Sequence, residues 1–337
     1  MADIVLGLWT SHGPTLSTTP EQWLARLPAD HKNKRLFWRG TPYDFEGLTA
    51  ERAGDGLDAV VTIEERTRRH AACQVMIDKL AEAWADAAPD AVVIFGNDQK
   101  ELFLDSVIPA LTIYNGESFY GEPPTPEQEA RMPPGIAEAE WGCKPRTRTE
   151  YAAMPELANA VIAELMQSGF DPAVSSRLPD NPGHWSSGIP HAFGFIIERV
   201  MRDHVPPILP IISNTFFPPN QPSAARAFAM GQAVGRVLKS WGEGKRIAIV
   251  GSGGMSHFVI DEDFDRQFMD AFQRRDAEFL TGIDESMFQS GTSELKNWIA
   301  AAGVLFETDL SGDIVEYQGC YRSNAGTGTA NGAILWS

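Results

Sequence analysis

The chain has 337 residues, 43% of them hydrophobic and 22% charged, which is enough for one large α/β domain with a sizeable core. A formal net charge of −17 excludes nucleic acid as the expected partner, because phosphate binding needs clustered cations. Cys73, Cys143 and Cys320 are widely scattered with no C-x-x-C pair, which excludes a thiolate metal site or a disulfide framework.

In chain order, residues 3–9 read as a short buried strand that ends at the turn-like Thr10-Ser11-His12-Gly13-Pro14. The segment opens on an acidic residue and soon reaches a histidine, so neither a signal peptide nor a membrane span is expected there, and the default compartment is the cytoplasm. Residues 15–57 are polar and broken by Gly and Pro, which predicts irregular structure with one short helix near 20–27. Apolar positions recur at helical spacing from Ile63 to about Ala87, with Thr62 placed to cap the start. Ala91-Val92-Val93-Ile94-Phe95 is a buried strand running into Gly96-Asn97-Asp98-Gln99.

The stretch 115–150, rich in proline and charge, predicts a long surface excursion of the kind that often serves as a lid or binding loop. A helix is expected at about 154–168, followed by a loop carrying His184 and His191. Ile208 to Ile212 is a further strand, broken after Asn214 by Phe216-Phe217-Pro218-Pro219. Ser223 to Trp241 reads as a long helix, and Arg246 to Val250 as a strand ending in Gly251-Ser252-Gly253-Gly254-Met255-Ser256-His257. Two helical segments follow at about 263–275 and 293–302, and then a C-terminal stretch that mixes glycine with short apolar runs. Strands alternating with long helices predict a single layered α/β domain over residues 1–337: a central mixed sheet flanked by helices, with irregular excursions at 15–60 and 115–150.

Three strands stop at polar groups able to bind metal or move protons: Ser11-His12, Asn97-Asp98-Gln99 and Ser256-His257. Each alone is equally a turn whose side chains satisfy local backbone groups, but ligands of open α/β sheets gather beyond strand ends. The glycine run before His257 lacks the spacing and the lysine of a phosphate loop, so a tight turn presenting the histidine is the simpler reading. No G-x-S-x-G elbow and no H-E-x-x-H motif is present.

Gly251-Ser252-Gly253-Gly254-Met255-Ser256-His257 is similar to the strand-end motif of the class III, LigB-type extradiol dioxygenases. Asn214 with Pro218-Pro219, the helix containing Phe228-Ala229-Met230-Gly231, and Thr10-Ser11-His12-Gly13-Pro14 resemble further family segments. So do Ser293-Glu294-Leu295 with Trp298 and Gly303, and the C-terminal Gly328-Thr329-Ala330-Asn331-Gly332-Ala333. The resemblance runs from about residue 3 to the C-terminus and is weaker in 15–60 and 115–150.

The resemblance implies an Fe(II) enzyme that opens the ring of a catechol- or gallate-type aromatic acid with dioxygen, and a homodimer. His12 and Glu294 would be iron ligands, and His257 the acid/base. His184 would hydrogen-bond the bound diol or dioxygen, with His191 as its rival. The polar strand-end residues Ser11, Asn97, Asp98 and Ser256 are the expected substrate contacts. Where the family carries its second ligand histidine, this chain has Gln99, a neutral and weaker donor. Gln99 binding through its side-chain oxygen, Asp98 or His70 supplying the ligand instead, and a non-catalytic paralogue or subunit all remain open. A different metal-dependent enzyme, such as a zinc hydrolase using His12 and Glu294, is the other alternative. Lys100, Arg146 and Arg148 are positional candidates to meet a substrate carboxylate.

Overall fold

The computed structural model describes residues 2–181, 184–242 and 244–337. Nine strands form one mixed sheet: β1 (Asp3–Thr10), β2 (Ala91–Asn97), β3 (Leu111–Tyr114), β4 (Ala173–Ser175), β5 (Ile208–Ser213), β6 (Arg246–Ser252), β7 (His257–Val259), β8 (Gly312–Tyr321) and β9 (Thr327–Trp336). Their order is β7-β9-β1-β6-β2-β5-β3-β4, with β8 paired to β9. The four central strands β1, β6, β2 and β5 are mutually parallel. β9 runs antiparallel to β1, and β3 antiparallel to β5.

The central strands read as continuous apolar runs because both faces are covered. Val93, Phe95, Ile247 and Ile249 point into one core, and Val92, Ile94, Ala248 and Val250 into the other. The second core is closed by α1 (Ile63–Ala87) through Met76, Ile77, Leu80 and Trp84. Thr62 caps α1 as expected, accepting from Glu65 N at 3.2 Å. The first core lies under α2 (Pro155–Gln167), α3 (Ala224–Ser240), α4 (Glu262–Gln273) and α5 (Leu295–Leu305). α3 and α5 approach most closely at Gly231 and Gly303, where an added Cβ would strike the Ala300 or the Phe228 carbonyl oxygen. Trp9 anchors this side, edge-on to Phe272 at 5.0 Å and to Trp336 at 5.3 Å, and its indole N–H reaches the Trp298 carbonyl at 2.8 Å. Burying a side chain of this kind contributes about 1.5–3 kcal/mol or more.

Three features depart from the expectation. The segment 15–60 is more ordered than predicted. It holds short turns of helix at Gln22–Arg26 and Leu27–Lys32, a hairpin of Leu36–Trp38 with Thr41–Tyr43, and a helix at Phe45–Glu51 capped by Asp44. The stretch 115–150 is tied down by pairing of Ser118–Gly121 with Thr149–Ala152, and its residues 133–143 fold back over the strand ends. The glycine-rich C-terminus forms two ten-residue strands, β8 and β9. Among the described residues no helix is long and apolar enough to cross a membrane.

Candidate metal centre

The parallel strands β1, β6 and β2 end on the same edge of the sheet, and their last residues meet there. His12 follows β1, Ser252 closes β6, and Asn97 closes β2 with Gln99 just beyond. Glu294 comes from the turn of helix Ser290–Glu294 that leads into α5. His191 opens a short helix, His191–Phe195, immediately after Pro190, and His257 opens β7.

Glu294 is the hub. Its side chain is buried, and Oε2 accepts from Gly254 N at 2.8 Å while lying 3.1 Å from His12 Nε2 and 3.8 Å from His257 Nε2. Oε1 accepts from Gln99 Nε2 at 2.5 Å and from Asn97 Nδ2 at 3.3 Å. Asn97 is itself fixed by Asn297, whose amide donates to its Oδ1 at 3.0 Å. Gly253 lets the β6 turn pass against the Glu294 backbone, where a Cβ would collide with the Glu294 carbonyl oxygen.

The tautomer of His12 follows from its neighbours. The single Ser252 hydroxyl proton is used on the Ala192 carbonyl at 2.6 Å, so Ser252 Oγ accepts from His12 Nδ1–H at 2.9 Å. Nε2 is then a lone pair, buried, without a hydrogen-bond partner, and facing a carboxylate oxygen at 3.1 Å. Burial holds the His12 pKa below its ordinary value in spite of Glu294 beside it, so the ring is neutral. Two lone pairs facing each other in a desolvated pocket require a cation or a proton between them.

His191 is oriented by a second buried carboxylate. Glu101 Oε1 lies 2.5 Å from His191 Nδ1, and Oε2 accepts the His191 backbone N–H at 2.9 Å. Burial lowers the His191 pKa, but the charge and hydrogen bond of Glu101 outweigh it and bring the value up to about 9. Glu101 in turn falls to about 2 although burial opposes this, through His191 first and then Lys144. With Nδ1–H committed to Glu101, Nε2 is the nitrogen left to lose its proton to a metal. The His12 and His191 rings are edge-on at 4.8 Å, and one ligand atom each from His12, His191 and Glu294 falls within 4.8 Å of the others. This set of two imidazoles and a carboxylate fits a divalent transition metal.

His257 Nδ1 donates to the Met255 carbonyl at 2.7 Å, which turns Nε2 toward Glu294. Its ring lies between Gly254 and Gly291, at either of which a Cβ would overlap it. Burial lowers its pKa, but Glu294 and the Met255 carbonyl reverse this and leave it raised.

Other expected residues are elsewhere. Asp98 accepts from Leu102 N at 2.8 Å and Phe103 N at 3.0 Å, an internal brace for the loop rather than a ligand. Ser11 Oγ accepts from Gly332 N, which joins β1 to β9. Ser256 Oγ donates to Asp265 at 2.6 Å. Asn97 contacts Glu294, so none of these four lines the cavity. His184 accepts from Ser186 N at 3.0 Å and packs on Trp185, also outside the lining, whereas its rival His191 is inside. His70 stays on α1, 3.3 Å from the Gln74 amide. Lys100 pairs with Asp105 and Arg148 with Glu122, while Arg146 is exposed.

The cluster of His12, His191 and Glu294 forms one wall of a cavity of about 280 Å³. The remaining walls are largely apolar, with Trp23, Ile136, Trp185, Phe195 and Phe258, and the size suits a single substituted ring. Sequence reasoning missed Glu101, Ser252, Glu140 and Arg26 here. Glu140 is buried with Oε2 unpartnered, and its pKa is pushed up to about 7 by burial, with Glu101 adding to the shift and Lys144 opposing it.

The sequence profile of the family described as "Catalytic LigB subunit of aromatic ring-opening dioxygenase" matches residues 59–328. Among curated relatives, the 2,3-dihydroxyphenylpropionate/2,3-dihydroxicinnamic acid 1,2-dioxygenase of Comamonas testosteroni is 28% identical over 190 residues, 55% of this chain and 49% of that one. The protein of the same name from Rhodococcus jostii (strain RHA1) is 29% identical over 196 residues, 56% and 52% of the two chains. A Pseudomonas putida counterpart is 33% identical over 102 residues, 30% and 29% of the two chains. The matched region spans about half the length of the first two relatives.

Proposed function

This chain belongs to the LigB family, and from that premise we propose that it is an Fe(II)-dependent extradiol dioxygenase that opens the ring of a catechol-type aromatic acid. The observation that carries the reading is the convergence of His12, His191 and His257 on Glu294 at one wall of a ring-sized cavity. The proposed ligands are His12, His191 and Glu294. Gln99, whose amide donates to Glu294 Oε1, then orients the carboxylate. This reading takes His191 in place of the Gln99 side-chain oxygen as third ligand, because Gln99 presents its amide nitrogen to Glu294, while a ring nitrogen of His191 falls within the same cluster as His12 and Glu294.

When bound, Fe(II) supplies the electronic link between a chelated catechol and dioxygen. The protein's own part is acid–base and positional. Met255 fixes His257 with Nδ1 protonated, so Nε2 is the atom that takes a proton from a catechol hydroxyl and later returns it. Trp23, Phe195 and Phe258 hold the ring and exclude water. The relatives' names specify catechols bearing a three-carbon acid side chain, which supports a catechol acid over a gallate.

The test is anaerobic loading with Fe(II), then admission of dioxygen with a catechol-acid panel. Expected are one dioxygen consumed per substrate and a yellow ring-opened product, both lost in His12→Ala and Glu294→Gln. No uptake across the panel would sink the reading, and hydrolysis of an ester panel by the Zn(II)-loaded but not the Fe(II)-loaded protein would point to a hydrolase on the same fold.

A further inference from the structure

The cavity has a cationic side. Arg26 and Arg322 both line it, in a chain whose net charge is −17. Their circumstances differ. Arg322 is spent within the protein: its guanidinium grips Asp30 through two bonds of 2.5 and 2.9 Å, and Asp30 also accepts from Thr327 Oγ1 at 2.7 Å. Arg26 is half-buried, and among the described residues no carboxylate lies within ion-pair distance of it. Among the described residues its one side-chain hydrogen bond is a long 3.4 Å contact to the Pro134 carbonyl. The aliphatic stem is held in place by Gly135, whose left-handed backbone (φ +81°) leaves no Cβ to push it away; one there would stand 3.1 Å from Arg26 Cδ. Burial and the neighbouring Arg322 both pull the Arg26 pKa down, with Asp30 opposing, although the Asp30 oxygens are already engaged by Arg322 and Thr327.

We propose that Arg26 is the specificity-determining residue that receives the carboxylate of the substrate, with Arg322 and Asp30 forming the rigid wall behind it. The proposal rests on the ring-opening reading for the nature of the ring and goes beyond it in assigning what holds the acid. Arg26 is suited to the task because a planar guanidinium meets a carboxylate with two parallel N–H donors. The apolar walls between Arg26 and the metal cluster would hold the ring, and the acid group would choose which end of the molecule faces His12 and Glu294. The positional candidates Lys100 and Arg148 are already paired with Asp105 and Glu122, and neither lines the cavity.

The experiment uses the full chain with two probes that lack catechol hydroxyls, 3-phenylpropionate and its neutral amide, and binding is read by calorimetry or ligand-observed NMR. The acid is expected to bind about 10-fold or more tightly than the amide. Arg26→Gln should abolish that preference and leave amide affinity and melting temperature unchanged, while Arg26→Lys keeps part of it. Equal binding of acid and amide by the wild type, no binding of the acid, or an unaltered preference in Arg26→Gln overturns the proposal. Dioxygen uptake with the matching catechol acid is measured separately. Arg26-dependent acid binding without uptake would remove the dioxygenase reading and leave the anion site standing. Uptake with acid–amide parity would do the reverse.

Discussion

Glu101 holds His191 at two points, its Oε1 2.5 Å from the ring Nδ1 and its Oε2 2.9 Å from the backbone N–H. The double contact fixes both the ring's orientation and its tautomer, which is how buried carboxylates tune metal-binding histidines. Glu101→Gln keeps the shape but loses the charge. Metal affinity is expected to fall about 10–100-fold, read by competition with a chelator, and the melting temperature to fall as well, because buried His191 and Lys144 lose the charge that balances them. Unchanged affinity would show that the Glu101 charge does not tune metal binding at His191.

Gln99 and His191 are separated by a paired comparison. His191→Ala removes a ligand, whereas Gln99→Leu removes a donor to Glu294. Metal content after reconstitution is expected to collapse in His191→Ala and to fall by about 10-fold or less in Gln99→Leu. The opposite order would return the third ligand to position 99.

Gly291 is the place to disturb His257 without replacing it. Gly291→Ala puts a methyl into the ring's space. The expected result is a large loss of kcat, about 100-fold if the ring is displaced by 1 Å, with KM nearly constant and a stability loss of about 1–3 kcal/mol. A wild-type kcat would mean that the ring position is not critical.

Glu140 gives a pH signature. Its folded pKa of about 7 stands above the ordinary carboxylate range. The folded state therefore binds this proton more tightly than the unfolded state. The associated stability is fully present below the unfolded pKa and is lost as pH rises through about 7. Glu140→Gln cannot ionise, so its melting temperature should decline less than the wild type's between pH 6 and 8. Parallel melting curves against pH would contradict this assignment.

Much of the fold was legible because alternating strands and helices leave strong local signals: the run from Ala91 to Phe95 and the Thr62 cap were both read correctly. β9 was not, because Gly328 and Gly332 interrupt its apolar pattern and both its faces are buried, which removes alternation. At the site, the motif residues His12, His257 and Glu294 could be named from the chain, and the structure brings them together. His184 and His191 share one loop, and nothing in their spacing says which turns inward. Pro190, which starts a helix at His191, was the available clue. Arg26 lies in a segment whose polarity reads as surface, and only the folding-back of residues 133–143 makes it a wall.

β1, which delivers His12, is hydrogen-bonded along one side to β9, with Gly7 opposite Trp336 and Thr10 opposite Ala333. The first histidine of the cluster is therefore seated by the last strand of the sheet. A chain truncated before Thr327 lacks the strand that seats His12 and leaves β1 an unpaired edge on that side.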